Sequence, residues 1–289
     1  MRPFGARLAA AMAEHGPLCV GIDPHASLLD AWGLPDSAAG VRRFALTVME
    51  AVGGRVAAVK PQAAFFERHG SAGVAALEEV VAAGRDTGTL VVVDAKRGDI
   101  GSTMGAYADA FLRDGSPLAG DALTVSPYLG FGSLRPAVDL ALATGRGLFV
   151  LALTSNPEGP AVQHARDAEG VAVADRVARE AGASNAAELG AGGVAAGESL
   201  GSIGLVVGAT IGDAAARLGV DLAAVRGPLL APGVGAQGAG PAELAAVFGD
   251  ARSAVLASSS RGVLAAGPDV RALRDAARSA ADAAGAALR

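Results

Sequence analysis

The sequence predicts a parallel α/β fold in a single domain, a closed (β/α)8 TIM barrel. Eight short apolar runs recur along the 289 residues, and the segments between them place apolar residues at the three-and-four spacing of amphipathic helices. Strands that alternate with helices form parallel βαβ units. Eight such units in a chain of this length favour a closed barrel, with an open doubly wound sheet as the alternative. Because no linker divides the chain, we expect one domain over residues 1–289.

Each apolar run is rich in the aliphatic and β-branched residues of buried strands. In chain order, the runs are LCVGID (18–23), RVAAVK (55–60), LVVVDAK (90–96), DALTVS (121–126), GLFVLAL (147–153), GLVVGA (204–209), PLLAPG (228–233) and SAVLAS (253–258). Catalytic residues of such barrels lie where the strands meet their following loops. The residues that end these runs are therefore the first candidates for a functional site.

Helical spacing is clearest in four of the intervening segments, 37–52, 71–84, 104–114 and 241–248. The N-terminal segment MRPFGARLAAAMAEHG also fits an amphipathic helix. The interval from about 154 to 202 is roughly twice as long as the others and rich in Gly, Ala and Asp. We expect an expanded loop there with an extra helix around 171–181, since long excursions after a barrel strand often shape the active-site mouth.

The composition argues against several classes of protein. Hydrophobic residues make up 51% of the chain and the mean hydropathy is +0.38, but the longest apolar runs are far shorter than the ~20 residues that span a membrane. The formal net charge of −5 argues against a general nucleic-acid binder. Arg7 and Glu14 interrupt any apolar stretch near the N-terminus, which argues against a signal peptide, and we expect a cytoplasmic protein.

Cysteine and histidine offer little support for redox or metal chemistry. Cys19 is the only cysteine and lies within an apolar run, so an intrachain disulfide is impossible and a buried small hydrophobe is expected. The four histidines, at positions 15, 25, 69 and 164, show no metal-binding spacing. We therefore expect no histidine-based metal site.

Only two of the 24 basic residues are lysines, Lys60 and Lys96, and all the others are arginines. Arginine stays protonated, whereas lysine can give up a proton, so the two exceptions indicate positions where arginine cannot substitute. Both lysines lie at the C-terminal ends of predicted strands. Chance retention on a solvated surface would seldom place both there.

The segment VVVDAKRGDIGST (91–103) brings three charges to the end of the third predicted strand. Asp94 and Lys96 are two residues apart, so they project to the same face of a strand. Asp99 follows after a glycine turn, and Lys60 on the neighbouring strand could complete an alternating Lys-Asp-Lys-Asp array. Flanking carboxylates keep a lysine protonated, which suits Lys96 to donate a proton. A structural ion-pair ladder at the barrel rim is the alternative.

The segment APGVGAQGAG (231–240) places four glycines after the seventh predicted strand. Glycine lets backbone N–H groups approach an anion closely, and the Gln237 amide adds a donor. Barrels often bind phosphate with the loops after strands seven and eight, and the eighth run leads into Arg261, whose guanidinium suits bidentate phosphate binding. The sequence therefore predicts a phosphate site, with a flexible glycine-rich connector as the alternative.

Together and in order, the motifs GIDPH, KPQ, DAKRGDIGST, PGVGAQG and SSRG resemble those of the orotidine 5′-phosphate decarboxylase family, particularly its longer bacterial branch. The match runs from about residue 21 to residue 262. The resemblance implies a homodimeric barrel that converts orotidine 5′-phosphate to uridine 5′-phosphate and CO2 in pyrimidine biosynthesis, without a metal or an organic cofactor. Ser260, where glycine is common, and the expansion at 157–202 depart from the shorter family pattern.

The resemblance also implies which residues carry the chemistry. Lys96 would protonate C6 of the pyrimidine as CO2 departs, and Asp94 would lie near the substrate carboxylate. Asp99, with Ile100 and Thr103, would reach into the active site of the partner subunit, so that each site is shared.

Five residues would bind the rest of the substrate if the resemblance holds. Asp23 and Lys60 would contact the ribose hydroxyls, and Lys60 would also belong to the charged array. Ser155 would hydrogen-bond the pyrimidine. Gln237 and Arg261 would hold the 5′-phosphate, whose binding energy could be used for loop closure and positioning.

Two other functions remain as alternatives. A sugar-phosphate decarboxylase or aldolase of the same superfamily would use Mg²⁺, and that chemistry needs an acidic ligand at the second strand end, where this chain has the cation Lys60. A non-catalytic barrel that binds nucleotide phosphate would keep the phosphate loops alone. Such a binder would have no reason to retain the costly charges of Asp94, Lys96 and Asp99.

Overall fold

Eight parallel strands form a closed barrel in chain order, and the last strand pairs with the first. The computed structural model describes residues 2–191, 200–234 and 239–289. The strands are β1 (Leu18–Ile22), β2 (Ala58–Pro61), β3 (Leu90–Arg97), β4 (Ala122–Val125), β5 (Gly147–Leu153), β6 (Ile203–Val207), β7 (Leu229–Pro232) and β8 (Val255–Ser259). The predicted barrel is confirmed, and every apolar run overlaps a strand whose ends lie within three residues of the prediction.

Helices follow or connect the strands around the outside of the barrel. They are α1 (Phe4–His15), α2 (Ala26–Ala31), α3 (Ala38–Val52), α4 (Ala63–Glu67), α5 (Gly70–Thr87), α6 (Gly101–Leu112), α7 (Arg135–Thr144), α8 (Pro160–Gln163), α9 (Val173–Ala191), α10 (Ala214–Leu218), α11 (Pro241–Phe248), α12 (Arg261–Leu264) and α13 (Val270–Ala287). Two short 3-10 helices, Phe131–Leu134 and Gly249–Ala254, complete the described elements. The four segments predicted from helical spacing correspond to α3, α5, α6 and α11.

Helix α3 illustrates how the sequence specifies these elements. Its N-cap, Ser37, accepts a hydrogen bond from the backbone N–H of Gly40 at 3.3 Å, which satisfies one of the unpaired N–H groups at the start of a helix. Val41, Phe44 and Val48 follow at helical spacing and are fully buried. One face of α3 thereby packs into the core between the helices and the sheet.

Helix α1 lies at the amino-terminal ends of the strands. The Phe4 ring packs edge-to-face on Phe149 with centroids 5.9 Å apart. Gly147 leaves room for this ring, because a Cβ at that position would lie 2.1 Å from it. Arg7 forms an ion pair with Asp121 and donates a hydrogen bond to the Gly145 carbonyl at 2.9 Å. Helix α1 therefore covers this end of the barrel, which we call the closed end, whereas the catalytic residues of such barrels lie at the carboxyl ends of the strands.

The long interval after β5 contains α8 and α9. The predicted helix around 171–181 is present as α9, which continues to Ala191. Its Asn185 is fully buried and donates hydrogen bonds to the carbonyl of Ile203, which begins β6, and to the carbonyl of Val225, which precedes β7. Within the described ranges, no helix is both long and apolar enough to cross a membrane.

Candidate active site

The carboxyl ends of the strands surround a cavity of about 870 Å³. Its polar lining comes from β1 to β5, from β8 and from the loops that follow these strands, and includes Asp23, Lys60, Gln62, Asp94, Lys96, Thr124, Thr154, Ser155, Asn156, Ser258, Ser259, Ser260 and Arg261. Leu151, Val206 and Leu230 supply an apolar floor and wall. This combination of an apolar enclosure with a few convergent polar groups is typical of small-molecule sites.

A three-membered charged array stands at the ends of β2 and β3. The Lys60 Nζ lies 2.8 Å from Asp94 Oδ2, and the Lys96 Nζ lies 2.6 Å from Asp94 Oδ1. Lys60 and Asp94 are buried, whereas 43% of the Lys96 side chain is exposed. One carboxylate thus holds two ammonium groups, and the outer one faces the cavity.

The charges of the array stabilise one another against burial. Burial alone would raise the pKa of Asp94, but the charges and hydrogen bonds of Lys60 and Lys96 outweigh it and lower that pKa to about 2. Burial alone would lower the pKa of Lys60, but Asp94 and Asp23 outweigh it and raise that pKa above its ordinary value. Asp94 is therefore a carboxylate and Lys60 an ammonium at neutral pH.

Cys19 lies at the base of this region on β1. It is fully buried, and burial raises the pKa of its thiol to about 12. The thiol therefore stays protonated and packs as a small hydrophobe, as the sequence predicted.

Asp99, Ile100 and Thr103 lie outside the described lining of this cavity. The Asp99 Oδ1 accepts a hydrogen bond from the Ile100 N–H at 2.8 Å, next to the start of α6. Among the described residues, each ion pair of the array joins a lysine to the Asp94 carboxylate. Within one chain, the array therefore contains Lys60, Asp94 and Lys96 but lacks the predicted fourth member, Asp99. The chain carries Asp99 past the end of β3 to the start of α6.

Asp23 follows β1 and presents a carboxylate oxygen with no hydrogen-bond donor. Its Oδ1 is buried, and no described residue donates to it. An unpaired buried acceptor costs about 1–3 kcal/mol, which a donor on a bound molecule would recover.

Ser260, near Asp23, packs against Gly21, where a Cβ would lie 1.8 Å from the Ser260 Oγ. Glycine at 21 therefore accommodates the serine that departs from the family pattern.

The loops after β7 and β8 form one wall of the cavity. Arg261 begins α12, is exposed and lines the cavity together with Gly233 and Gly262. Gln237, the other predicted phosphate ligand, lies outside the described residues. The guanidinium and the nearby glycine backbone can receive an anion.

Ser155 is exposed at the cavity on the loop after β5. The neighbouring Thr154 holds this loop, because its N–H donates to the Gln163 Oε1 at 2.9 Å and its hydroxyl donates to the Asn156 Oδ1 at 2.6 Å. Gln163 in turn donates from Nε2 to the Thr154 hydroxyl at 2.6 Å. The expansion after β5 thus supports the segment that carries Ser155.

Sequence reasoning missed two residues that bind Asp94. The Gln62 Nε2 donates to the Asp94 carbonyl at 3.2 Å, and the Thr124 hydroxyl donates to the Asp94 Oδ1 at 2.8 Å. The available signals were a threonine between the apolar residues of the run DALTVS and a glutamine directly after a strand. Among the described residues, no group of three or more His, Cys, Asp or Glu is arranged to hold a metal ion.

Comparison with known proteins agrees with this geometry. Residues 16–276 match the orotidine 5′-phosphate decarboxylase / HUMPS family. The chain belongs to this family. It is 61% identical over 279 residues to an orotidine 5′-phosphate decarboxylase of Streptomyces coelicolor, which covers 96% of this chain and 95% of that protein.

Solved structures of the family have the same barrel. A crystal structure of a candidate orotidine 5′-phosphate decarboxylase from Streptomyces avermitilis is 60% identical, superposes with a TM-score of 0.92, and covers 100% of this chain and 96% of that one. An OMP decarboxylase from Leishmania donovani is 31% identical with a TM-score of 0.72, covering 98% of each chain. The family and the fold are therefore established together.

Proposed function

We propose that this barrel decarboxylates orotidine 5′-phosphate, the reaction of its family, by placing the Lys96 ammonium beside the carbon that loses CO2. The product is uridine 5′-phosphate, formed in pyrimidine biosynthesis. The observation that carries the mechanism is the Asp94-centred array, in which a half-exposed lysine faces the cavity while the carboxylate bound to it is buried.

The array meets the electronic demand of the reaction. Loss of CO2 leaves an electron pair on C6 of the pyrimidine with almost no delocalisation. A fixed ammonium beside that carbon stabilises the developing negative charge and then supplies the proton that forms the C6–H bond. Asp94 keeps Lys96 aimed and lies near the leaving carboxylate, and Lys60 keeps Asp94 ionised.

The remaining residues position the substrate away from the bond that breaks. Asp23 and Lys60 bind the ribose hydroxyls, and a hydroxyl donor would satisfy the unpaired Asp23 Oδ1. Ser155 binds the pyrimidine. Arg261 and Gln237 bind the 5′-phosphate, consistent with the position of Arg261 at the wall of the cavity. Binding energy from the phosphate can then hold C6 against Lys96.

The reaction uses no metal and no organic cofactor in this proposal. A metal-assisted sugar-phosphate enzyme would need an acidic ligand at the end of β2, but the Lys60 ammonium occupies that place, 2.8 Å from Asp94. A cation there repels a metal that Asp94 would bind. We also place the protein in the cytoplasm. Its single cysteine, Cys19, is buried and free, in keeping with a compartment in which thiols stay reduced.

We further propose a homodimer with shared active sites. Ile100, Tyr128 and Leu129 are large apolar side chains that are 62%, 77% and 53% exposed in one chain. They follow β3 and β4 at the cavity end of the barrel, and clustered apolar exposure marks protein interfaces. A partner at this surface would receive Asp99, Ile100 and Thr103 near its own array, which accounts for an aspartate that lies outside the cavity lining of its own chain.

The first experiment measures conversion of orotidine 5′-phosphate by purified protein in EDTA. We expect rapid loss of the orotidylate ultraviolet signal with stoichiometric uridine 5′-phosphate and CO2. Turnover that requires added Mg²⁺ would contradict the metal-free mechanism and favour the sugar-phosphate class. Binding of orotidylate without turnover in either condition would favour a non-catalytic nucleotide-binding barrel.

Mixing two inactive variants tests the shared site. Asp99→Ala and Lys96→Ala proteins, mixed at equal concentration and allowed to exchange subunits, should recover about one quarter of wild-type activity, because half of the dimers are hybrids with one intact site each. Subunit exchange is verified with differently tagged chains. Exchange without recovery would contradict the shared-site proposal.

A further inference from the structure

The third and fourth strands lose their regular pairing at the charged array. Val93 pairs with Leu123, and the next pair along the two strands is Arg97 with Val125. Three residues of β3, 94–96, therefore stand opposite a single residue of β4, which is Thr124. Such bulges often lie next to active sites, where they re-aim a side chain.

The bulge places Lys96 in an unusual backbone conformation. Its φ is +48°, in the left-handed region that side chains other than glycine rarely adopt. A strained residue persists only when its surroundings hold it. The contacts that hold Lys96 must therefore come from groups that face the bulge.

Thr124 is the residue that faces it, and its hydroxyl binds the backbone of Lys96 and the carboxylate of Asp94. The Thr124 Oγ1 accepts a hydrogen bond from the Lys96 backbone N–H at 2.9 Å and donates one to the Asp94 Oδ1 at 2.8 Å. The direction is fixed, because a backbone N–H can only donate and an ionised carboxylate can only accept. Thr124 is 1% exposed, so bulk water has little access to these bonds.

We infer that Thr124 is a positioning residue for the decarboxylation, whose hydroxyl locks the bulge so that the Lys96 ammonium points into the cavity. This inference rests on the proposed function. The Lys96 N–H has lost its place in the regular strand ladder, and the threonine oxygen replaces the missing carbonyl. The same hydroxyl fixes the carboxylate that holds the Lys96 ammonium, so one oxygen orients both the backbone and the tip of the lysine.

Thr124→Val removes the hydroxyl and keeps the shape of the side chain. The Lys96 N–H then lacks its acceptor and Asp94 lacks a donor, so the bulge relaxes and the ammonium moves from the reacting carbon. A displacement of about 1 Å can cost on the order of 100-fold in rate. We expect kcat for orotidylate to fall by about 30- to 300-fold while KM changes less than about threefold. Thr124→Ser keeps the hydroxyl and should restore kcat to within about threefold of wild type.

Thr89→Val is the matched control. Thr89 is also a buried threonine, 4% exposed, and its hydroxyl accepts from the Gly54 N–H at 2.6 Å just before β3, far from the carboxyl ends of the strands. This variant should lose stability without loss of kcat. Thr124→Ala repeats the test with a smaller side chain if the valine variant does not fold.

The outcomes separate the inference from the function on which it rests. If the wild-type protein turns over orotidylate, two results would overturn the role of Thr124 alone. One is an undiminished kcat in Thr124→Val, and the other is a Thr124→Ser variant whose kcat is no higher than that of Thr124→Val. A wild-type protein that does not convert orotidylate would overturn both. Equal losses of kcat in the Thr124 and Thr89 variants would show that Thr124 has only a structural role.

Discussion

Two buried polar networks lie at opposite ends of this barrel, and they are built on different principles. At the closed end, Asn185 donates from Nδ2 to the carbonyls of Ile203 and Val225, each at 2.8 Å, and accepts from the Ile203 N–H at 2.9 Å. Next to it, the Glu188 carboxylate accepts from the N–H and the hydroxyl of Ser202 at 2.7 and 2.6 Å. These side chains bind backbone that must be fixed before β6 and β7 can pair.

At the open end, the network is charged and faces a cavity. Asp94 holds two ammonium groups, one of them 43% exposed, and Asp23 has an oxygen with no donor among the described residues. The backbone at Lys96 is left-handed. The comparison teaches where function lies: Asn185 and Glu188 find their partners in the backbone that they fix, whereas Lys96 and Asp23 present an exposed ammonium and an unpaired oxygen at a cavity. Backbone strain alone does not separate the two ends, since Arg226 before β7 also has a positive φ, +51°.

The largest effect is expected from Lys96→Ala at the open end. Loss of the proton donor and of the cation beside C6 should lower kcat by about 10²- to 10⁴-fold or more. Binding of uridine 5′-phosphate should change far less, because the ribose and phosphate contacts remain. Steady-state kinetics and calorimetric titration measure the two quantities. A variant within tenfold of wild-type kcat would show that Lys96 is part of a structural ladder.

The corresponding experiment at the closed end should lower stability and leave catalytic activity unchanged. Asn185→Ala leaves one buried N–H and two carbonyls without this partner, which should lower the free energy of unfolding by about 2–4 kcal/mol. Below the unfolding temperature, kcat should stay within about twofold of wild type. Urea denaturation and the orotidylate assay give both values. Ser184→Ala, on the same helix and half-buried, is the control and should cost no more than about 0.5 kcal/mol.

If Asn185→Ala lowered kcat at a temperature where it is fully folded, the separation between the two ends would fail. The amide would then act on the cavity through β6 or β7. The prediction of a purely structural role would be wrong.

The smallest effect concerns acid stability. Because folding lowers the pKa of Asp94 from 3.8 to about 2, the stabilisation from this shift is complete above about pH 5 and is lost as the pH falls towards 2. It amounts to about 2 kcal/mol. Asp94→Asn should be less stable than wild type at pH 5, and the difference should shrink by about that amount by pH 2. A difference that stays constant over this range would contradict the assigned shift.

Much of the fold could be predicted because its signals are local. Apolar runs such as GLFVLAL (147–153) are buried along the strand except at Leu151, which lines the cavity, and the parallel alternation with helices leaves few topologies. The ends of the strands were less certain, since β2 begins at Ala58, three residues after the predicted start. Arg55 to Ala57 read as strand, but the backbone is still turning there.

The site was predicted only where the contacts lie close together in the sequence. The Asp94–Lys96 contact was expected from a regular strand, yet it forms across a bulge with a left-handed lysine, which no alternation pattern predicts. Thr124 lies 28 residues from Lys96, and its run reads as an ordinary strand. The role of Asp99 depends on a second chain, so it remains a proposal.

The most direct test of the central claim follows the proton at C6. Wild-type protein incubated with uridine 5′-phosphate in D2O should exchange the C6 hydrogen for deuterium, because the Lys96 that delivers the proton can also remove it by the same path. Proton NMR measures the loss of the C6–H signal. The account predicts exchange with wild type and exchange at least about 100-fold slower with Lys96→Ala. Equal exchange in the two proteins would contradict the assignment of Lys96 as the proton donor.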